Sequence, residues 1–386
     1  MAIRVNPKLI NELEHFGSED VFNCYHCGNC SAVCPHTDEF FVFPRKSMRS
    51  LQMGLERKLE RSIEPWLCYY CGQCSEQCPR NAQPGETMMS LRRWLISRYD
   101  FTGLARLFYK SWKSELAAVI IVALLTGVGL LAYGFWQGNI QIYDGAGAFL
   151  PSSSIHIFDL AVGGLMFLFL AVNSVRMWWF IMDPKEQGIR LGLYLKKILL
   201  LPWHFFTQKR YAECESGEPG TVHIPWLLHL GIALGYVTML ILVMVFLHSL
   251  QAGPQIVWPV HVFGYLASIG LATGTIWMLH ARLKKTRVQY LRSQGSDWIF
   301  VTLLFIITVT GILQHILHRV GLPFAANIVY VLHLMAVVPW LLRMPFSKWA
   351  HIIYRPLAMY FADIQRAVLA ARAAATGSIQ QVRHAA

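Results

Sequence analysis

The sequence predicts an all-α protein in two parts: a small helical, cysteine-rich domain, then a bundle of six transmembrane helices. Three observations carry that prediction. The words CYHCGNCSAVCP and CYYCGQCSEQCP stand near the start, and nothing like them recurs. Only 15% of the 386 residues are charged and 55% are hydrophobic, against roughly 25% charged in soluble domains. Every apolar run long enough to cross a bilayer follows residue 114.

The first 22 residues, MAIRVNPKLINELEHFGSEDVF, contain no apolar stretch of the kind that directs secretion. The cysteine-rich part is therefore expected in the cytoplasm. Its two words supply Cys24, Cys27, Cys30 and Cys34 before Pro35, then Cys68, Cys71, Cys74 and Cys78 before Pro79. Both follow C-x2-C-x2-C-x3-C-P, the spacing of bacterial ferredoxins that hold 4Fe–4S clusters. Three closely spaced thiolates wrap one cluster. The fourth, ahead of a proline that redirects the chain, serves the other. The expected sets are Cys24, Cys27, Cys30 and Cys78 on one cluster, and Cys68, Cys71, Cys74 and Cys34 on the second. Structural zinc takes its ligands in two pairs, unlike this run, and disulfides do not persist in a reducing cytoplasm. Cys214 has no partner in sequence and reads as a loop thiol.

Between the words, Met48, Leu51, Leu55, Leu59 and Ile63 recur at helical steps and predict one amphipathic helix. Pro84 opens a second, with Met88, Leu91 and Leu95 on one face. The domain over 1–100 is thus a helical ferredoxin-like domain without the short strands of small ferredoxins. Over 101–114, Phe101, Leu104, Leu107, Phe108 and Trp112 alternate with Arg106, Lys110 and Lys113, as in a helix lying in the membrane interface. A plain continuation of the first span is the competing reading.

Six segments read as spans over about 115–136, 155–181, 226–250, 259–280, 297–317 and 324–346, each near the ~20 residues a hydrocarbon core requires. The bundle occupies 115–350, and 351–386 form a cytoplasmic tail. Lys185, Arg190, Lys196, Lys197, Lys209 and Arg210 crowd the loop after the second span. Arg282, Lys284, Lys285, Arg287 and Arg292 follow the fourth, and Arg343, Lys348, Arg355, Arg366, Arg372 and Arg383 the sixth. The intervening loops hold only Arg319. Positive charge marks the cytoplasmic side, so both termini are expected there. The net charge of +12 then reports topology and excludes nucleic acid as a partner.

Residues 1–100 resemble the C subunit of heterodisulfide reductase, including the CG.C...CP wording of both motifs. Residues 155–360 resemble the membrane subunit of respiratory nitrate reductase, a cytochrome b with two haems. Their fusion resembles the C subunits of quinone-interacting membrane-bound oxidoreductase complexes, which serve dissimilatory sulfur metabolism. The likeness spans nearly the whole chain except the first span and the last 25 residues. It implies a multi-pass protein of the bacterial cytoplasmic membrane that binds haem b and menaquinone or ubiquinone. It also implies two soluble flavin and Fe–S subunits as partners, with adenylylsulfate reductase beyond them.

A haem between two transmembrane helices takes one neutral imidazole from each, at matching depth. His229 lies about one turn into the third span. His333 lies in the sixth, and His351 follows eighteen residues later, five turns on if the helix continues, about 27 Å away on the same face. These are positions where the nitrate reductase cytochrome places haem ligands, and His229 with His351 is the inner pair. His333 matches an outer ligand, but its family partner position holds Met239. Met239, His248, or His261 or His315 from neighbouring spans then completes that site, or the second haem is absent. His156, His261, His315 and His318 read first as interfacial rings at outer span ends, and His280 likewise at an inner end. His204 and His223 read as ordinary. Arg176 either meets a haem propionate or snorkels. No nucleophile triad, activated-water site or phosphate loop is visible, so no catalytic residue is expected apart from quinone redox. The sequence leaves two rivals: the same architecture with a heterodisulfide reductase-like partner, and a redox-sensing anchor.

Overall fold

The computed structural model describes residues 4–136, 152–184, 188–213, 223–250 and 256–376. Cys214, Lys185, Arg383 and the segment after the first span lie outside them, as does the side chain of His248. The protein is 79% helical, and no strand occurs among the described residues. Six helices are long and apolar enough to cross a membrane: Trp112–Trp136, Ser153–Met182, Ile224–Leu247, Trp258–Lys284, Gly295–Arg319 and Pro323–Phe346. Each contains one of the six segments expected from hydropathy, apart from a few terminal residues. Many of their large apolar side chains, such as Leu125, Val175 and Leu266, face outward. Lipid accommodates them where water would not.

The cysteine-rich domain packs around the helix Pro84–Tyr99, whose Met88, Leu91, Trp94, Leu95 and Tyr99 are buried against Leu9, Leu13, Phe16, Met48 and Leu51. Even Arg92 and Arg93 are buried, because Arg92 donates to the Pro65 carbonyl and Arg93 to that of Phe16 at 2.7 Å. The single helix expected between the cysteine words is two, Arg45–Gln52 and Glu56–Glu60. Gly54 breaks it at φ +64°, and its carbonyl takes the Asn6 amide at 2.8 Å. Apolar periodicity runs through this break because both pieces bury the same face.

The interfacial segment is a separate helix, Leu104–Lys110. Ser111, extended at φ −146° and ψ 104°, parts it from the first span, so the continuation reading fails. Phe101 and Leu107 are exposed while Ala105 and Phe108 pack inward. Arg176 neither snorkels nor reaches toward a haem pair: its guanidinium donates to the Tyr99 and Arg98 carbonyls at 2.6 and 3.2 Å. It thereby caps the C-terminal end of the Pro84–Tyr99 helix and ties the second span to the cysteine-rich domain.

The sixth-span helix ends at Arg343, followed by 3-10 turns at Met344–Phe346 and Lys348–Ala350. A new helix, His351–Thr376, then runs along the cysteine-rich domain. His333 and His351 are therefore on different helices, against the single-helix expectation. Pro345 supplies no backbone donor, and Ser347 is extended at ψ 179°. Of the tail segment 351–386, the described part is packed: Tyr354 meets Trp66 edge-on at 5.6 Å, and Arg366 pairs with Asp38 at 2.8 Å. One hydrophobic core runs from Leu9 through the spans to Ile364. Some cations read as topology markers point inward. Arg343 is buried against Glu115 at 2.5 Å, joining the sixth span to the first.

Candidate functional site

The two cysteine loops share one backbone trace. His26 and Gly28 in the first, and Tyr70 and Gly72 in the second, all have φ between 58° and 93°. Paired left-handed residues at the same two places curl each loop so that successive sulfurs turn inward. Glycine suits the second place because it carries no Cβ penalty. At Gly72 it also admits Val288 from the loop after the fourth span, which would lie 3.0 Å from an added Cβ.

Cys30 lies within electrostatic reach of Cys24, Cys27 and Cys78, and burial pushes its thiol up to about 11. Cys74 lies within reach of Cys68, Cys71 and Cys34, with Cys30 a weaker neighbour, and burial pushes it up further. Each triplet thus meets the fourth cysteine of the other word. Buried thiols that repel one another do not ionise together unaided, and bound iron supplies the charge that makes the thiolates stable. Among the described residues, no three His, Cys, Asp or Glu converge on one ion. A four-iron cluster asks for wider spacing, because each thiolate takes a different iron. Backbone amides of Tyr70 and Ala82 lie 3.3 Å from the sulfurs of Cys68 and Cys78, the kind of contact that sets cluster potential. Cys34→Ala is expected to deplete the cluster of the second word and Cys78→Ala that of the first. Each should leave about four of eight non-haem irons, with electron paramagnetic resonance of the single variants identifying which signal survives.

The two loops differ in surroundings. Around the first, Cys27, Phe22 and Tyr25 are exposed, the last at 69%. The second is docked on the bundle. Arg355 donates to the Cys68 carbonyl at 3.1 Å, and Gln289 to that of Cys71 at 3.0 Å. Cys68 and Cys74 are buried.

Beside this second loop lie His229 and His351, with ring centroids 5.9 Å apart and planes at 44°. The His229 Nδ1 bonds to Oε1 of Gln208 at 2.7 Å, and the His351 Nδ1 to the Lys348 carbonyl at 2.6 Å. Both Nδ1 atoms thus donate, and both Nε2 lone pairs are free. Such outer partners fix tautomer and ring orientation in metal-binding histidines. Burial and Arg355 hold the His351 pKa well below the ordinary value, which keeps the ring neutral as ligation requires. Two imidazoles bonded to one metal at about 2 Å each have centroids roughly 6 Å apart. Openings of about 530 and 1230 Å³ share the pair as lining, along with Tyr69, Ile232, Trp349 and Arg355. Arg92 Nη2, Arg282 Nε, Arg355 Nε and Trp349 Nε1 line the larger one and are buried without a hydrogen-bond partner. A ring of unpaired donors fits a dianionic ligand. These residues fit a bis-imidazole haem with its propionates on the cationic side.

His333 is half-buried in the sixth span, with Nδ1 2.9 Å from the Thr310 hydroxyl. The ring also lies against Gly311, and Met239 is partly buried against the main core. His204 bonds Asp363 at 2.7 Å, and His223 accepts from the Trp226 amide at 3.1 Å. His204 also lines the smaller opening beside the pair. Sequence reading missed Gln208, Lys348, Arg355 and Tyr69. Only Tyr69 carried a signal, since it stands inside the second cysteine word and stacks on Tyr211, which in turn meets His229 edge-on at 5.4 Å.

Lys348 also reaches Asp297 at 2.7 Å, and Arg93 of the cysteine-rich domain reaches the same carboxylate at 3.4 Å. Glu86 stands near this group, and burial lifts its carboxyl to about 7. A carboxyl that is raised on folding binds protons the unfolded chain has released. Its penalty is absent in acid, grows as pH climbs past the ordinary carboxylate range, and levels off above about 7. Glu86→Gln should therefore unfold at a higher temperature than the parent at about pH 8, with the gap narrowing by about pH 6 in paired melts.

Together, a cluster-bearing domain docked on a six-helix apolar bundle defines a membrane electron-transfer subunit. Residues 20–82 match the family model of the 4Fe–4S dicluster domain. No curated protein and no solved structure matches the chain.

Proposed function

We propose that this chain is the quinone-linked subunit of a larger oxidoreductase, passing electrons between soluble flavin and Fe–S subunits and a membrane quinone. The supporting observation is the placement of Tyr69, one residue from Cys68 and shared by both openings beside His229 and His351. The exposed first loop faces the soluble partners, and the second stands toward the bundle. Clusters and b-type haem supply one-electron steps when bound. The chain's residues hold and orient: Gln208 and the Lys348 carbonyl fix the two imidazoles, Arg355 ties the second loop to them, and Trp349 and Ile232 keep water out. On this reading the cluster domain and both termini face the cytoplasm across a bacterial inner membrane, and the basic loops support that orientation.

The resemblance of the fused halves points to the quinone-interacting complexes of sulfur metabolism, with adenylylsulfate reductase as the final partner. The test has two arms. Purified protein given a reduced menaquinone or ubiquinone analogue should show reduced b-type haem bands and reduced-cluster resonance; absence of haem bands defeats the reading. Affinity capture should recover two flavoproteins with adenylylsulfate reductase. Recovery of a thiol-disulfide enzyme instead would favour a heterodisulfide reductase-like assignment.

A further inference from the structure

At the far end of the bundle a second histidine pair repeats the spacing of the first. His261 of the fourth span and His315 of the fifth have centroids 6.0 Å apart and planes at 49°. His261 is only 4% exposed, and its Nδ1 bonds the Val257 carbonyl at 3.1 Å, leaving Nε2 with its lone pair. Tyr265, one turn along the same helix, has its hydroxyl 3.1 Å from His315 Nε2. Its ring lies 6.2 Å from that of His261 and 5.5 Å from that of His315. Arg282, which lines the opening beside the inner pair, is 21 residues along the fourth span from His261, a rise of about 32 Å. The two sites are thus at opposite ends of the spans.

We propose that His261, Tyr265 and His315 bind a divalent transition-metal ion, with two imidazole nitrogens and the tyrosine oxygen as ligands. Bonds of about 2 Å to each imidazole bring the ring centroids to roughly 5–6 Å for an open angle at the metal. Rings 6.0 Å apart hold an ion bonded to both imidazoles but no aromatic ring stacked between them, whose two stacking contacts alone need about 7 Å. The Tyr265 hydroxyl stands beside Nε2, where a porphyrin face would have to lie, which favours a bare ion over haem. The ion replaces the proton shared between Tyr265 and His315, and that proton leaves to solvent as the ion enters. Water completes a four-coordinate set. Nitrogen and oxygen donors of this kind suit Zn²⁺ and Cu²⁺.

Zn²⁺ is the probe. Cluster-loaded protein in detergent should bind one Zn²⁺ by equilibrium dialysis that is lost in His261→Ala and in His315→Ala. Tyr265→Phe should weaken it at least about tenfold, and His318→Ala should leave it unchanged. On the parent chain, zinc-edge X-ray absorption needs no variant and should show two imidazoles with oxygen. Unchanged zinc in His261→Ala, equal loss in His318→Ala, or sulfur among the ligands overturns the site. Loss of haem b from His261→Ala with zinc unaffected would give the pair to a porphyrin and equally overturn it.

Discussion

Replacing His351 with alanine should abolish the b-type haem spectrum of the inner site while sparing about eight non-haem irons per chain. Two features make the effect large and separable. His351 stands 5.9 Å from His229, so its removal would take away one of the two imidazoles that would hold the proposed haem. The cysteine loops take their shape from their own backbone, through His26, Gly28, Tyr70 and Gly72, and do not need the imidazole. Gln208→Ala is the graded companion. It removes the acceptor 2.7 Å from His229 Nδ1 but keeps both ligands, and should weaken haem retention by about 10–100-fold. Reduced-minus-oxidised spectra across a haem titration measure both. An unaltered spectrum in His351→Ala would sink the inner pair, and equal loss in Gln208→Ala would point to misfolding.

What the sequence disclosed was whatever chemistry is written locally. Cysteine spacing and apolar run length are short-range properties, so the two loops and the six spans could be read directly. The rest depends on chain segments far apart. His351 was placed by continuing the sixth span for five turns, yet the helix stops at Arg343. The ring reaches His229 because 3-10 turns and the extended Ser347 redirect the chain. No periodicity encodes such a turn. Arg343 and Lys348 looked like solvated topology charges because sequence shows their sign and not their partners, Glu115 and Asp297. His261 and His315 read as interfacial rings for the same reason, since 54 positions part them in sequence and 6.0 Å in space.

Asp297→Ala carries the second large effect, because one carboxylate joins three parts of the molecule. It opens the fifth span and is 3% exposed. It accepts from Lys348 at 2.7 Å, from Arg93 at 3.4 Å, and from the Gln294 amide at 3.3 Å. Arg93 belongs to the cysteine-rich domain, and Lys348 supplies the carbonyl that holds His351. Removing the carboxylate leaves buried Arg93 and partly exposed Lys348 without their shared counter-charge. Breaking a buried pair such as Arg93–Asp297 costs about 3–5 kcal/mol. The expected result is a lower unfolding temperature, faster proteolysis between the two domains near Ser111, and weakened haem binding at the His229–His351 site. Asp297→Asn keeps an acceptor and should fall between parent and alanine. The double variant Asp297→Ala, Lys348→Met removes one stranded cation and should recover part of the thermal loss. The Lys348 main-chain carbonyl survives that change, so haem retention should recover with it. If stability returns and haem does not, the carboxylate acts on His351 by some route other than holding Lys348.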